Sequence, residues 1–307
     1  MAAIDIGTNS IVFLVADAAP GRGLVAVHDV CEIARLGEGV DRTKELQPAA
    51  IERALGVLAA CVRRARELGA ERIGAVGTQA LREVRNGHAF LGPARDLLGV
   101  DVEVIDGERE ARLSWRSALT AFPFPATPGG RRTVLDIGGG STELLVGPAP
   151  GATSEPERLV SVAIGSVRLT ERLVRHDPPT PEERAALVAT IDEALGQAPA
   201  PEGELIGIAG TVTTLCAIHL GLRELDGARV HGVRLGREDV DRVVERLGRL
   251  SVAERCQLAG LDPRRADVIF AGGLILSRVL ARAATAAVIV SDRGIRWGLA
   301  EELAARV

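Results

Sequence analysis

Short apolar runs alternate with stretches of helical periodicity along the chain of 307 residues. Apolar runs of about four to eight residues between turn signals are typical of buried strands, whereas apolar residues spaced three and four apart are typical of helices. In the first part of the chain the predicted strands are two within Ala2–Asp17 around the turn GTNS, then Gly23–Leu36, Arg72–Thr78 and Val100–Ile105. The predicted helices there are Gln47–Leu68, Ala80–Val84, Ala89–Leu98 and Glu108–Leu119.

The segment FPFPATPGG, Phe122–Gly130, is predicted to be a linker, because prolines and glycines prevent regular structure. The same alternation starts again after it. The predicted strands are Thr133–Ile137, Thr142–Val146, Leu159–Ala163, Glu204–Ile208 and Ala287–Ser291. The predicted helices are Val167–Arg175, Pro181–Gly196, one beginning near Thr211, Glu238–Arg249, Val268–Ala283 and Ile295–Arg306. This order predicts an α/β fold with two cores, divided into domain I, residues 1–121 with the C-terminal helix 292–307, and domain II, residues 122–291.

An internal repeat relates the two halves. The opening sequence IDIGTNSIVFLV aligns without a gap with LDIGGGSTELLV at a constant offset of 131 residues, so that Asp5 matches Asp136 and Ser10 matches Ser141. A repeat of this length is the size of a domain and therefore indicates duplicated halves rather than a solenoid.

Each copy of the repeat reads as strand, turn and strand, a hairpin whose turn exposes successive backbone N–H groups. Such groups bind anions when no side chain intervenes, which gives the glycines a function. Two hairpins facing each other across a cleft would hold a phosphate chain from both sides. The predicted phosphate ligands are Gly7, Thr8, Asn9 and Ser10 in the first turn and Gly138, Gly139, Gly140 and Ser141 in the second. The alternative is a pair of ordinary tight hairpins.

Composition restricts the partners of the protein. The formal net charge is −4 and aromatic residues make up 2% of the chain, which argues against nucleic acid and membrane surfaces as partners. The four cysteines and five histidines show no metal-ligand spacing, so zinc is not expected, and scattered cysteines are typical of the reducing cytoplasm. No signal peptide or membrane segment is expected. Because the net charge is negative, any polyanion must be bound by local cations and backbone amides.

The motifs resemble a known family. The twin loops are similar to those of the actin, Hsp70 and sugar-kinase superfamily, and the remaining blocks resemble the exopolyphosphatase and guanosine pentaphosphate phosphohydrolase family. Those blocks are GTQALREVRN, IDGEREARL, VAIGSVRLTERL, GIAGTVTTL and ADVIFAGGLIL, in the family's order. The resemblance implies a two-domain actin-like ATPase fold, that is, a duplicated ribonuclease H-like α/β fold with an interdomain cleft. It also implies Mg²⁺ as cofactor.

The chain departs from the family pattern at a few positions. Arg109 stands where many members carry an acidic residue, and Arg85 is unusual in its motif. Larger members carry a C-terminal helical domain of HD type, which we expect to be absent here.

Hydrolysis of a phosphoanhydride requires neutralised charge, an aligned water and a base for its proton. Asp136 is predicted to bind Mg²⁺, which prefers a few carboxylates plus phosphate oxygens, and Asp5 is its counterpart in the other hairpin. The alternative for both is a turn aspartate that accepts hydrogen bonds from loop amides.

Two glutamates are the predicted catalytic residues. The resemblance implies that Glu110 is the general base, and the alternative is an exposed glutamate paired with Arg112 or Arg116. Glu143 aligns with Val12, so the fold itself does not require a carboxylate there. We assign Glu143 to orienting the attacking water or supporting Mg²⁺, the alternative being a solvent-facing strand residue.

Three further residues are predicted to bind phosphate. Arg82 is a candidate because a guanidinium matches phosphate oxygens, its alternative being a surface salt bridge. Gly210 and Thr211 open a helix whose N-terminal amides would bind another phosphate, although Thr211 is equally explained as an N-cap.

The leading hypothesis is therefore an exopolyphosphatase that releases terminal orthophosphate from inorganic polyphosphate. The nearest alternative is a hydrolase of the 5′-γ-phosphate of pppGpp. An ATP-dependent kinase and a non-catalytic alarmone sensor on the same fold are the other classes, and a homodimer is a further expectation.

Overall fold

The computed structural model describes residues 1–19, 23–123, 130–149 and 155–305. The chain divides into two compact units, one formed by Met1–Leu113 with Ile295–Val307 and the other by Ser114–Gly294. The boundary between Leu113 and Ser114 lies inside a helix, Gly107–Ala121. The linker predicted at Phe122–Gly130 lies largely outside the described residues, and the domain limits inferred from it stay a proposal.

The first unit contains one five-stranded sheet. Its strands are β1 (Ala2–Ile6), β2 (Ser10–Ala19), β3 (Gly23–Ile33), β4 (Ile73–Gly77) and β5 (Val102–Val104). The helices in this part of the chain are, in order, α1 (Val40–Thr43), α2 (Pro48–Glu67), α3 (Gln79–Arg82), α4 (His88–Leu98) and α5 (Gly107–Ala121). The strand order is β3-β2-β1-β4-β5, with β1 antiparallel to β2 and parallel to β4.

The second unit contains one six-stranded sheet. Its strands are β6 (Arg131–Ile137), β7 (Thr142–Pro148), β8 (Arg158–Val162), β9 (Glu204–Ile208), β10 (Arg234–Gly236) and β11 (Ala287–Val290), in the order β10-β11-β9-β6-β7-β8. Its helices are α6 (Ser166–Leu173), α7 (Pro181–Gly196), α8 (Ala209–His219), α9 (Gly227–Val230), α10 (Arg237–Arg249), α11 (Val252–Arg255) and α12 (Ile269–Arg282), with a short 3-10 turn at Pro263–Arg265. The last helix of the chain, α13 (Ile295–Ala305), belongs to the first unit.

Apolar side chains of the helices pack on both sheets. In the first unit, alternate residues of β1 and β2 pack on α2 and α4, and the residues between them pack on α13 through Trp297 and Leu299. In the second unit the main core lies between one face of the sheet and helices α7, α8, α10 and α12. This alternation is what a strand with a period of two must produce when both faces of the sheet are buried.

The two units repeat the same strand connectivity. In each, a hairpin is followed by a third antiparallel strand and by parallel strands on the other side, giving β3-β2-β1-β4-β5 and β8-β7-β6-β9-β11. The register also repeats, because Asp5 pairs with Val12 and Asp136 with Glu143 at equivalent positions. The duplication inferred from the sequence is therefore confirmed by the structure.

Each strand and helix predicted from the sequence in the described residues is present, with bounds that differ by a few residues. Strand β3 ends at Ile33 rather than Leu36, because the N–H groups of Ala34 and Arg35 turn to the carbonyl oxygen of Asn9 and Arg35 adopts a φ of 50°. Five short elements were not predicted: α1, α9, β10, α11 and the 3-10 turn. Among the helices of the described ranges, none has the length and apolar character needed to cross a membrane.

Candidate active site

The first glycine turn connects β1 to β2. The N–H of Gly7 donates to the carbonyl oxygen of Ser10 at 2.9 Å, which closes the turn, and the Thr8 hydroxyl donates to Oε1 of Gln79 at 3.2 Å. Asn9 is buried, and both polar atoms of its side chain lack a hydrogen-bond partner within the part of the chain that the structure describes. Because buried amides are rarely left unsatisfied, Asn9 is a candidate ligand for a bound group.

A neighbouring segment fixes the direction of this turn. The carbonyl oxygen of Asn9 accepts hydrogen bonds from the N–H groups of Ala34 and Arg35 at 3.1 and 2.8 Å, and that of Thr8 accepts from Gly37 at 2.8 Å. Gly37 allows this approach, since a Cβ there would lie 2.3 Å from Cγ2 of Thr8. The carbonyls of the turn are thus occupied, while the N–H groups of Thr8 and Asn9 donate to no backbone carbonyl of the described residues.

The second glycine turn, between β6 and β7, is closed in the same way. The N–H of Gly138 donates to the carbonyl oxygen of Ser141 at 3.0 Å. The first amides of α6 then bind the carbonyls of the turn: Ser166 donates to Gly138 at 3.0 Å, and Val167 and Arg168 donate to Gly139 at 2.8 and 3.0 Å. This packing turns the carbonyl oxygens toward α6.

The opposite side of the second turn carries open donors. Among the described residues, no backbone carbonyl accepts from the N–H groups of Gly139, Gly140 or Ser141. Gly165 makes the packing possible, because a Cβ at this position would lie 2.4 Å from the carbonyl oxygen of Gly139. Adjacent open amides of this kind form an anion-binding concavity.

Two carboxylates follow directly from the second turn. Asp136 on β6 and Glu143 on β7 are register partners, so their side chains lie side by side on one face of the sheet. They are 5% and 1% exposed, respectively. The solvent-facing alternative for Glu143 is therefore wrong. Adjacent carboxylates in a buried place disfavour ionisation of both at once.

Asp136 is held by a residue that the sequence analysis did not identify. Ser114 on α5 is fully buried and donates its hydroxyl hydrogen to Oδ2 of Asp136 at 2.9 Å. Burial raises the pKa of Asp136 to about 6, although the Ser114 hydrogen bond acts in the opposite direction. The matching Asp5 is only partly buried and pairs with Val12, so the first hairpin has no equivalent pair of carboxylates.

Glu110 lies in the first turn of α5 and is 6% exposed. Its Oε2 accepts a hydrogen bond at 2.6 Å from Nη1 of Arg82, which also donates to the carbonyl oxygen of Ile105 at 2.7 Å. Glu110 is thus not the exposed glutamate of the alternative hypothesis. Arg82 does form an ion pair, but with a buried carboxylate rather than with a surface group.

The departure at Arg109 has a structural explanation. Its guanidinium binds Glu302 on α13 through two hydrogen bonds, the one from Nη1 to Oε1 being 2.6 Å, and lies 3.4 Å from Glu103. These carboxylates raise the pKa of Arg109. The arginine therefore faces the C-terminal helix, and Glu110 is the buried carboxylate of this turn.

Helix α8 begins earlier than predicted. Its N-cap is Ile208, so the N-cap alternative for Thr211 is wrong; the buried Thr211 hydroxyl instead donates to the carbonyl oxygen of Ile137 at 3.2 Å. Ala209 has a φ of 68°, an unusual value for a residue with a side chain. The Arg265 guanidinium lies against Gly210, where a Cβ would be 2.4 Å from Nη1.

The predicted site residues fall into two groups. In the second unit, four predicted features are neighbours: the turn at Gly138–Ser141, Asp136, Glu143 and the start of α8. The hydrogen bond from Thr211 to Ile137 joins the start of α8 to this group. In the first unit, the turn after Asp5 contacts Gln79 of α3, the helix that also carries Arg82, and Arg82 binds Glu110. The described ranges hold no cluster of three or more acidic, histidine or cysteine side chains suited to a metal. That the two turns face one cleft stays a prediction.

Two duplicated α/β units with glycine turns that leave amides open, and a pair of buried carboxylates beside the second turn, are the features of a protein that binds and processes phosphate groups. Comparison with known proteins identifies the family. The chain belongs to the Ppx/GppA phosphatase family, whose model matches residues 14–306. Its fold is the two-domain actin-like α/β fold.

Individual relatives agree with this assignment. The chain is 37% identical to Exopolyphosphatase 2 of Mycobacterium tuberculosis, with 99% of this chain and 98% of the relative covered. It is 29% identical to a guanosine-5′-triphosphate,3′-diphosphate pyrophosphatase of Photobacterium profundum, covering 91% of this chain and 51% of that protein. The crystal structure of the Aquifex aeolicus family member has a TM-score of 0.82 at 31% identity, with 99% of this chain and 97% of that one covered.

Proposed function

We propose that the protein is an exopolyphosphatase, which releases terminal orthophosphate from inorganic polyphosphate by attack of water. The similarity to Exopolyphosphatase 2 over nearly the full length of both chains supports this substrate. The structural observation that carries the proposal is the position of the open amides of Gly139, Gly140 and Ser141 directly beside the buried pair Asp136 and Glu143.

The two turns would bind the phosphate chain through backbone amides. In the second turn the carbonyls are occupied by α6, so that only donors remain for the anion. In the first turn the open amides of Thr8 and Asn9 and the unsatisfied side chain of Asn9 would play the same role. Gly7 and Ser10 close the first turn, as Gly138 and Ser141 close the second.

Asp136 and Glu143 fit a divalent cation such as Mg²⁺. This ion is commonly bound through one or two carboxylates together with water and substrate phosphate oxygens, so a larger protein cluster is not needed. When bound, Mg²⁺ would neutralise charge on the phosphate oxygens. The burial of both carboxylates supports this assignment, because a cation would compensate their charges. Asp5, which has no carboxylate opposite it, would have the lesser role in metal binding.

Glu110 would accept the proton of the attacking water. The Arg82 guanidinium and the hydrogen bond from the N–H of Glu110 to the carbonyl oxygen of Asp106 fix this residue at the start of α5. Because only Nη1 of Arg82 takes part in these bonds, the rest of its guanidinium is proposed to bind a phosphate oxygen. Gly210 and Thr211, at the start of α8, are proposed to bind a further phosphate through their amides.

The second candidate substrate is pppGpp, supported by the similarity to the Photobacterium profundum enzyme. Both substrates end in a phosphoanhydride, so the turns bind either one. The deciding experiment measures orthophosphate release by purified protein from polyphosphate of defined length and from pppGpp, each with and without Mg²⁺. Faster turnover of long polyphosphate supports the proposal, whereas a strong preference for pppGpp selects the alternative.

The same experiment addresses the remaining classes. Steady release of orthophosphate without an acceptor argues against an ATP-dependent kinase, and the absence of any turnover would indicate a sensor. A cytoplasmic location also belongs to this proposal, and its support is the scattered spacing of the four cysteines in the sequence. The homodimer remains a prediction.

A further inference from the structure

A polar row crosses the sheet of the second unit. Asp136 on β6, Glu143 on β7 and Ser161 on β8 are successive register partners. They lie on the face opposite the main core, because their neighbours Leu135, Leu144 and Val162 all belong to that core. Ser161 is the member of the row to which neither the sequence nor the family resemblance assigned a role.

Ser161 contacts Glu143 directly. Its hydroxyl donates to Oε1 of Glu143 at 2.6 Å, the length of a hydrogen bond between a hydroxyl and an ionised carboxylate. Glu143 is 1% exposed, whereas Ser161 is exposed on β8, the strand at the edge of the sheet. An exposed serine adds little packing, so its contribution lies in this hydrogen bond.

The hydrogen bond selects one orientation of the carboxylate. A glutamate has a broad terminal torsion, and a donor bound to one of its oxygens restricts that torsion. Ser161 occupies Oε1 from the side of β8, which restricts the direction in which Oε2 can point. Asp136 is held in the same manner by the Ser114 hydroxyl. Each buried carboxylate of the pair thus has its own hydroxyl donor.

We propose that Ser161 is a positioning residue that orients Glu143 for its work on the attacking water or the divalent cation. This inference rests on the proposed function. Groups that orient ligands or catalytic carboxylates typically change metal affinity or activity by about 10–100-fold when removed.

The test compares Ser161→Ala with Ser161→Thr, which keeps the hydroxyl and suits a strand. We expect the alanine variant to lower kcat on polyphosphate about tenfold with little change in KM, and to weaken Mg²⁺ binding measured by calorimetry in the absence of substrate. The threonine variant should restore both. Thr285→Ala is the matched control, because it removes a hydroxyl that donates to the carbonyl oxygen of Ala287, outside the proposed site.

The outcomes separate the inference from the proposed function. Wild-type kcat and wild-type Mg²⁺ binding in Ser161→Ala, together with an inactive Glu143→Gln, would overturn the role of Ser161 and leave the exopolyphosphatase intact. A loss of kcat that threonine does not restore, or that accompanies a lowered Tm, would assign Ser161 a structural role and also overturn it. If the wild-type protein releases no orthophosphate, the proposed function itself fails.

Discussion

The Ser114 hydroxyl donates to Oδ2 of Asp136 at 2.9 Å, and both residues are buried. Ser114 lies on α5, one helical turn after Glu110 in the sequence, whereas Asp136 is the second-last residue of strand β6. The hydrogen bond lowers the cost of a carboxylate in this place but does not cancel it, because burial still raises the pKa of Asp136 to about 6. A buried carboxylate with a raised pKa destabilises the folded chain when it ionises.

Replacement of Asp136 by asparagine should therefore stabilise the metal-free protein. The folded chain keeps this proton up to a pH of about 6 and the unfolded chain only up to the ordinary value of 3.8, so the free energy of unfolding falls as pH rises through that window. The penalty is absent at lower pH and complete above it, and amounts to about 3 kcal/mol.

Urea denaturation with a chelator present measures this effect. Asp136→Asn should exceed the wild type in stability at about pH 7.5 and lose the advantage toward about pH 4. Asp101→Asn, at an exposed position, is the control. An Asp136→Asn variant that is equally or less stable than the wild type at both pH values would contradict the expected cost.

Glu110 should be needed for turnover and not for substrate binding. Glu110→Gln keeps the shape of the side chain and a hydrogen-bond acceptor for Arg82 but cannot take a proton from water, so kcat should fall by roughly two to four orders of magnitude. The KM for polyphosphate should change little. Glu108→Gln is the matched control, since Glu108 lies on the same helix and pairs with exposed Arg112. Turnover close to wild type in Glu110→Gln would refute the assignment of the general base.

The repeat allowed the central part of the site to be predicted from sequence. It aligned Glu143 with Val12, and this difference indicated a carboxylate that the strand did not need. Burial of Glu143 agrees with that argument. The same gapless alignment predicted that the two hairpins share one register. This register matters, because a slip by one residue would move Asp136 to the other face of the sheet.

Other features depend on contacts that sequence patterns do not contain. The pairing of Ser161 with Glu143 follows from the β7–β8 register, which is set by tertiary packing. The start of α8 was misplaced because Ala209 adopts a left-handed backbone, which local propensity disfavours for alanine. The partner of Arg109, Glu302, lies 193 residues further along the chain.

The Arg109–Glu302 ion pair should contribute measurably to the stability of the first unit. The side chains are 28% and 18% exposed, so solvent screening reduces the interaction, and we expect a coupling energy of about 1 kcal/mol. A double-mutant cycle with Arg109→Ala and Glu302→Ala, followed by urea denaturation, measures it. The charge reversal Arg109→Glu with Glu302→Arg should recover part of the loss. Strictly additive single effects would show that the pair contributes no coupling.

Gly165 should be as necessary for activity as the glycines of the second turn, although it is outside the turn. Alanine at this position would place Cβ 2.4 Å from the carbonyl oxygen of Gly139 and 2.5 Å from the N of Gly140. Since these are backbone atoms, the turn must move, and a displacement of about 1 Å at a substrate-binding element can lower kcat by about two orders of magnitude. Gly196→Ala is the control, because a Cβ there meets no atom within 4 Å at the end of α7. Phosphate-release assays on both variants, with Tm measured alongside, test this prediction. If Gly165→Ala is as active as the control, the turn tolerates displacement, and its assignment as the phosphate site is weakened.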